Sequence, residues 1–169
     1  MKSNIIITGF MGTGKSVVAK QLACKLKMEF IDMDRIIEER RGMSIADIFA
    51  GHGENYFREQ ENKLVKELSQ KENKVIATGG GTLLSSYNAG ILSQTGEIIC
   101  LYADSRTIYN RVRIKNNRPL LKRENVLSEI NRLLEERKKA YNNFAIKIDT
   151  TNLSVQEVTN KITTLLKNV

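Results

Sequence analysis

Apolar positions along the chain alternate between short continuous runs and longer stripes of helical period. Runs such as Ile5-Ile6-Ile7 and Ile98-Ile99-Cys100-Leu101 are too short for core helices and read as strands buried on both faces. The whole pattern predicts strand 4–9, helix 15–27, strand 29–31, helices from 33 to about 70, strand 74–77, helix 85–94 and strand 97–102. It continues as helix 104–114, a polar stretch at 115–123, helix 124–142, strand 145–149 and helix 154–167. Ser154 and Glu157 have capping-box spacing, and Asp104 or Ser105 can cap the helix after Leu101-Tyr102. Strands alternating with helices predict one α/β domain over 1–169, built on a parallel sheet covered on both faces.

In such sheets ligands bind beyond the carboxyl ends of the strands, so the residues after each strand are the candidates for chemistry. The first strand is followed by Gly9-Phe10-Met11-Gly12-Thr13-Gly14-Lys15-Ser16, the spacing of a phosphate-binding P-loop. Its glycines let backbone N–H groups turn around a phosphate, the helix N-terminus adds partial positive charge, Lys15 reaches the β- and γ-phosphates, and Ser16 can ligate Mg²⁺. The second strand is followed by Asp32-Met33-Asp34, expected to place both carboxylates on one side of an extended segment. Asp32 is then the candidate to approach Mg²⁺, and Asp34 to accept or orient the proton of a substrate hydroxyl. The third strand leads into Gly79-Gly80-Gly81, where a ligand can approach the backbone. Asp149-Thr150-Thr151 follows the last strand.

Two arginines stand out by helical position. Phe57, Leu64, Val65 and Leu68 form an apolar stripe with Glu61 at its centre and Arg58 at its edge. A carboxylate three residues away would hold the Arg58 fork rigid, which suits recognition of a substrate carboxylate. On helix 124–142, Val126, Leu127, Ile130, Leu133, Leu134 and Tyr141 make the apolar face, and Arg137 projects into its middle. A permanent charge there makes sense if it meets an anionic ligand. Arg111, Arg113, Lys115, Asn116, Asn117 and Arg118, followed by Pro119, read as a mobile basic lid over about 111–124, with Arg118 the candidate to touch the transferring phosphate.

Composition narrows the class. The net charge is +8, and residues 104–139 carry eleven Lys/Arg against five Asp/Glu. The basic stretch has no interleaved aromatics and no nucleic-acid reader motif, so two anionic small molecules are the expected partners rather than nucleic acid. No apolar run approaches the roughly 20 residues of a membrane span, and no secretory core follows Lys2-Ser3-Asn4, so no membrane contact and a cytoplasmic location are expected. Cys24 and Cys100 read as small buried hydrophobes, and the single histidine, His52, as a loop residue.

Taken together, these residues resemble the shikimate kinases over nearly the whole chain. The P-loop at 9–16, the Asp32/Asp34 pair, Ile45 through Glu61, Ala77-Thr78-Gly79-Gly80-Gly81, Arg118-Pro119-Leu120-Leu121, and Arg137 with Tyr141 carry the likeness. The resemblance implies a P-loop kinase of five parallel strands with helices on both faces. It implies transfer of the ATP γ-phosphoryl group to the 3-hydroxyl of shikimate, with a substrate-binding helical region at about 33–61. Lys15, Asp34 and Arg118 would be catalytic. Gly12, Thr13, Gly14, Lys15, Ser16, Val17, Arg111 and Arg118 would bind ATP, with Arg111 near the adenine, and Ser16 with Asp32 would hold Mg²⁺. Asp34, Arg58, Gly79, Gly80, Gly81 and Arg137 would bind shikimate, in a monomer. Val17 departs from the family, many members of which carry a second hydroxyl there. A gluconate or nucleoside kinase would keep the loop and lid without needing two inward arginines. A non-catalytic relative would be expected to lose Lys15, Asp34 or Arg118.

Overall fold

A computed structural model describes residues 3–113 and 125–167. The elements are β1 (Asn4–Gly9), α1 (Lys15–Leu26), β2 (Glu29–Asp32), α2 (Met33–Arg41), α3 (Ile45–Leu68), β3 (Lys74–Ala77), α4 (Ser86–Thr95) and β4 (Gly96–Tyr102). They continue as α5 (Ser105–Val112), α6 (Val126–Asn142), β5 (Ile146–Asp149) and α7 (Val155–Lys167), with a single 3-10 turn at Thr82–Leu84 before α4. The sheet has five strands in the order β2-β3-β1-β4-β5, and every pairing is parallel. All strand carboxyl ends therefore open on one side of the molecule.

The continuous apolar runs follow from burial on both faces. Ile5 and Ile7 of β1 pack with Val18, Ala19 and Leu22 of α1 and with Val158 and Ile162 of α7. Ile6, between them, packs on the other face with Phe57, Leu64 and Val65 of α3 and Leu92 of α4. A third cluster lies at the carboxyl edge, where Phe10 and Met11 of the glycine-rich loop pack with Ile108 and Val112 of α5 and Ile130 and Leu133 of α6. That cluster sets the loop against the helices on either side of residues 114–124.

Helix ends match their sequence signals. Asp104 caps α5 by accepting from the Thr107 N–H at 2.6 Å, and Ser154 and Glu157 exchange the two bonds of a capping box before α7, at 2.8 and 3.2 Å.

The helices expected from 33 to about 70 are two, parted at Gly42, at φ 65°, and α3 is kinked at Gly53, where φ 82° and ψ 169° leave the helical region. Other expectations need correcting. His52 lies within α3, its ring 4.7 Å from that of Tyr56, and not in a loop. Cys24 is exposed while Cys100 is buried, because α1 turns position 24 away from the sheet. Leu127 is 38% exposed, since the apolar face of α6 is fully covered only from Ile130 onward. No helix among the described residues is long and apolar enough to cross a membrane.

Candidate active site

The glycine-rich loop leaves β1 through three left-handed glycines, Gly9 at φ 139°, Gly12 at φ 77° and Gly14 at φ 94°. A side chain at Gly12 would also sit 2.9 Å from Val112 Cγ1, so this position needs both the conformation and the space of glycine. Gly14 begins α1 with no side-chain cap, whereas Asp32, Ser44, Ser85 and Asp104 cap α2, α3, α4 and α5. The first N–H groups of α1 thus remain available to an anion. Lys15 Nζ donates to the Phe10 carbonyl at 3.0 Å, keeping the ammonium folded over the loop.

A cleft runs beside this loop, lined by Gly12 to Val18, Arg111, Val112, Thr150, Leu153 and Val155. Val17 is 57% exposed at its edge. Arg111 lies in this cleft with its donors engaged by protein acceptors: Nη2 donates to the Thr150 carbonyl at 2.7 Å and Nη1 to the Gly12 carbonyl at 3.3 Å. Arg111 and Val112 are the end of α5. Arg118 and the remainder of the expected lid lie outside the described residues.

A second cavity opens at the other end of the loop. Met11, Asp34, Phe49, Phe57, Arg58, Glu61, Gly80, Gly81 and Arg137 line it. Asp34 arrives there differently from the expected extended segment. Asp32 is the last residue of β2 and caps α2, its Oδ1 accepting from the Arg35 N–H at 3.3 Å, and Asp34 stands in the first turn of that helix.

The two arginines of this cavity are held in opposite ways. Arg58 donates from Nη1 to Glu61 at 2.6 Å and from Nη2 to Glu54 at 2.8 Å. Burial works against the Arg58 charge, but Glu61 and Glu54 outweigh it and keep the guanidinium above its ordinary range. Glu61 is 1% exposed and also accepts from the Thr82 hydroxyl, so its own burial is compensated by two donors. Arg137 is only 8% exposed, yet among the described residues no carboxylate lies within ion-pair distance of it. It makes one long bond to the Gly80 carbonyl, at 3.4 Å, and sits 5.3 Å over the Phe10 ring. Tyr141 donates to the same carbonyl at 2.6 Å, and burial pushes its phenol up to about 12. The hydroxyl therefore stays a donor at neutral pH.

The three glycines do different work. At Gly79 a Cβ would meet Glu61 Oε1 at 2.6 Å and Asp34 Oδ1 at 2.7 Å, and at Gly81 it would meet the Arg58 guanidinium at 2.7 Å. Gly79 and Gly81 leave room for the protein's own charged side chains, whereas a Cβ at Gly80 would meet nothing nearer than 3.6 Å; Gly80 and Gly81 both line the cavity. The atoms crowding Gly81 are the far end of a flexible side chain. Gly81→Ala should accordingly displace the Arg58 fork, raising the KM for a carboxylate substrate about tenfold with kcat and the melting temperature little changed. Steady-state kinetics beside a thermal melt checks this, and an unchanged KM would show that the fork is not used.

Among the described residues no three His, Cys, Asp or Glu side chains cluster as a metal cage. Mg²⁺ beside a nucleotide needs only one or two protein oxygens and keeps several waters. Ser16 in the first turn of α1 and Asp32 at the end of β2 supply hard oxygen donors of that kind.

Sequence reasoning missed two contributors. Glu54 was readable from its i,i+4 spacing to Arg58. Thr82 carries no local signal, because its hydroxyl partner is 21 residues away in sequence. Thr150 was marked by its place after the last strand and Tyr141 by the family resemblance, but their hydroxyl partners were not readable.

Comparison with known proteins agrees with this geometry. The shikimate kinase family model matches residues 11–167. The shikimate kinase of Pelotomaculum thermopropionicum is 44% identical over 164 residues, covering 97% of this chain and 95% of that protein. The one from Thermodesulfovibrio yellowstonii is 43% identical, covering 94% and 92%. Among solved structures, the shikimate kinase of Acinetobacter baumannii in complex with shikimate superposes with a TM-score of 0.93 at 34% identity, over 98% of this chain and 93% of that one. With its phosphate-binding loop, its inward arginines and these full-length likenesses, the chain belongs to the shikimate kinase family.

Proposed function

We propose that the chain transfers the γ-phosphoryl group of ATP to the 3-hydroxyl of shikimate, giving shikimate 3-phosphate and ADP, as a step of aromatic amino acid biosynthesis in the cytoplasm. The observation that carries this reading is Arg137, a buried cation with no carboxylate of the described residues within ion-pair distance, lining one cavity with Arg58 and Asp34. An uncompensated charge is costly to bury, and a substrate carboxylate between Arg58 and Arg137 would neutralise it. The likeness to an enzyme crystallised with shikimate supports the same ligand.

In this reading the triphosphate lies on the N–H groups of the loop at 9–16, with Lys15 on the β- and γ-phosphates. Bound there with Ser16 and Asp32 as ligands, Mg²⁺ supplies positive charge to the β- and γ-oxygens. Arg58 and Arg137 hold the substrate carboxylate, and Asp34 accepts the proton of the hydroxyl as its oxygen attacks the γ-phosphorus. The bond from that phosphorus to the bridging oxygen breaks, and ADP leaves. Phosphoryl transfer of this kind rests on positioning and charge stabilisation, which suits a site built from fixed cations and one acceptor. By the family resemblance, Arg118 would come over the transferring group from the lid, and Arg111 would present its plane to the base.

Shikimate-dependent ADP formation, measured with Mg²⁺ and a panel of other hydroxy acids and nucleosides, tests the reading. Turnover of shikimate well above the panel is expected. Folded protein that releases ADP with gluconate or a nucleoside and not with shikimate would overturn it.

A further inference from the structure

Beside the glycine-rich loop lies a buried hydroxyl that the mechanism above does not use. Thr150 follows the edge strand β5 and is 2% exposed. Its Oγ1 lies 3.2 Å from the Thr13 carbonyl, 3.1 Å from the Tyr102 carbonyl and 3.1 Å from Arg111 Nη1. The Thr150 N–H also donates to the Tyr102 carbonyl, at 2.8 Å, which fixes the backbone that carries the hydroxyl. A guanidinium has donors only, so the hydroxyl must turn a lone pair toward Arg111 and send its single proton to one of the carbonyls; Tyr102 already accepts the Thr150 N–H, which leaves Thr13 as the acceptor in need of it. Arg111 thereby sets the direction of the Thr150 hydroxyl, and Arg111 is itself anchored on the carbonyls of Thr150 and Gly12.

The consequence for the loop follows from peptide geometry. In a planar trans peptide the C=O of one residue and the N–H of the next point in opposite directions. Holding the Thr13 carbonyl on Thr150 therefore aims the Gly14 N–H away from Thr150. Gly14 is left-handed and opens α1 without a side-chain cap, so nothing in its own side chain restrains that peptide.

We propose that Thr150 is a positioning residue of the nucleotide site, its hydroxyl fixing the Thr13–Gly14 peptide so that the Gly14 N–H is presented to a nucleotide phosphate. The proposal deepens the reading of the loop as an ATP site and is independent of which alcohol is phosphorylated. It acts on the nucleotide half of the reaction only, because Thr150 does not line the cavity of Asp34, Arg58 and Arg137.

Calorimetric titration of the full chain with ADP, without shikimate, provides the test. Thr150→Val keeps the shape and removes the hydroxyl, and should weaken ADP binding about five- to tenfold, the value of one hydrogen bond. Thr150→Ser restores the hydroxyl and should bind ADP within about twofold of the unaltered protein. The KM for shikimate should stay within about twofold in both, a split that general loosening of the fold would not give. Should Thr150→Val fail to fold, Thr150→Ala is titrated with the same expectation. Undiminished ADP affinity in a folded hydroxyl-free variant, failure of serine to rescue, or a shikimate KM rising in step with ADP would overturn the assignment. A chain that shows the ADP pattern and yet does not phosphorylate shikimate would sink the proposed function and leave Thr150 in its role.

Discussion

Arg137→Met should raise the KM for shikimate by about a hundredfold while the melting temperature stays level or rises. The two halves of this expectation have one cause. Arg137 is 8% exposed, lies over Phe10 and makes a 3.4 Å bond to the Gly80 carbonyl, so among the described residues the desolvation of this cation has no carboxylate to offset it. Methionine keeps the apolar stem against Phe10 and removes the charge. Truncating one side of a buried charge pair between partners costs about 2–5 kcal/mol of binding, or roughly 30- to 4,000-fold. That loss is shared by ground state and transition state, so it appears in KM with kcat nearly intact. A shikimate analogue with a carboxamide in place of the carboxylate supplies the control. The unaltered protein should handle it as poorly as the variant handles shikimate, and the variant should lose little further. A destabilised Arg137→Met with an unchanged KM would mean that the arginine serves the fold and not the substrate.

Asp34→Asn should show the complementary pattern, a fall in kcat of about 10² to 10⁴ with ADP affinity within about twofold of the original. Asparagine preserves the volume and one acceptor at the first turn of α2 but cannot take up the hydroxyl proton. The Asp34 carboxylate shares its cavity with Arg58, Arg137 and Gly80, and the proposed mechanism sets the substrate carboxylate on the arginines with its hydroxyl toward Asp34. The nucleotide cleft does not include Asp34, which is why its affinity should hold. Rapid-quench measurement of the first turnover separates the chemical step from product release. A kcat within about fivefold of the unaltered protein would remove Asp34 from the role of acceptor.

Particular residues show how far the sequence carries. The glycine-rich loop was legible because its geometry is local: left-handed glycines, a preceding buried strand and a following helix all lie within a few residues of one another. Arg58 and Glu61 were legible because helical periodicity alone decides that positions three apart share a face. Arg137 was legible as an anomaly, a charge on an apolar stripe. The readings that failed depended on which side of an element the rest of the fold covers. Cys24 is turned to solvent, and Leu127 stands at the rim of α6 where coverage has not yet begun. The Asp32-Met33-Asp34 reading failed on a boundary, since Asp32 ends a strand and caps a helix at once, and period two cannot continue past the cap.

The sequence alone determined the order of strands and helices, the phosphate loop with Lys15, and the two arginines placed on or beside apolar helix stripes, since each is written in spacing within one element. The tertiary structure alone decided that Gly79 and Gly81 make room for charged side chains and that Arg137 has no carboxylate of the described residues beside it. It alone brought Thr150 against Thr13, a hydroxyl contact spanning 137 residues of chain. Such contacts are fixed by sheet order and helix packing, which place strand ends side by side whatever their separation in sequence, and no local pattern of residues encodes that distance.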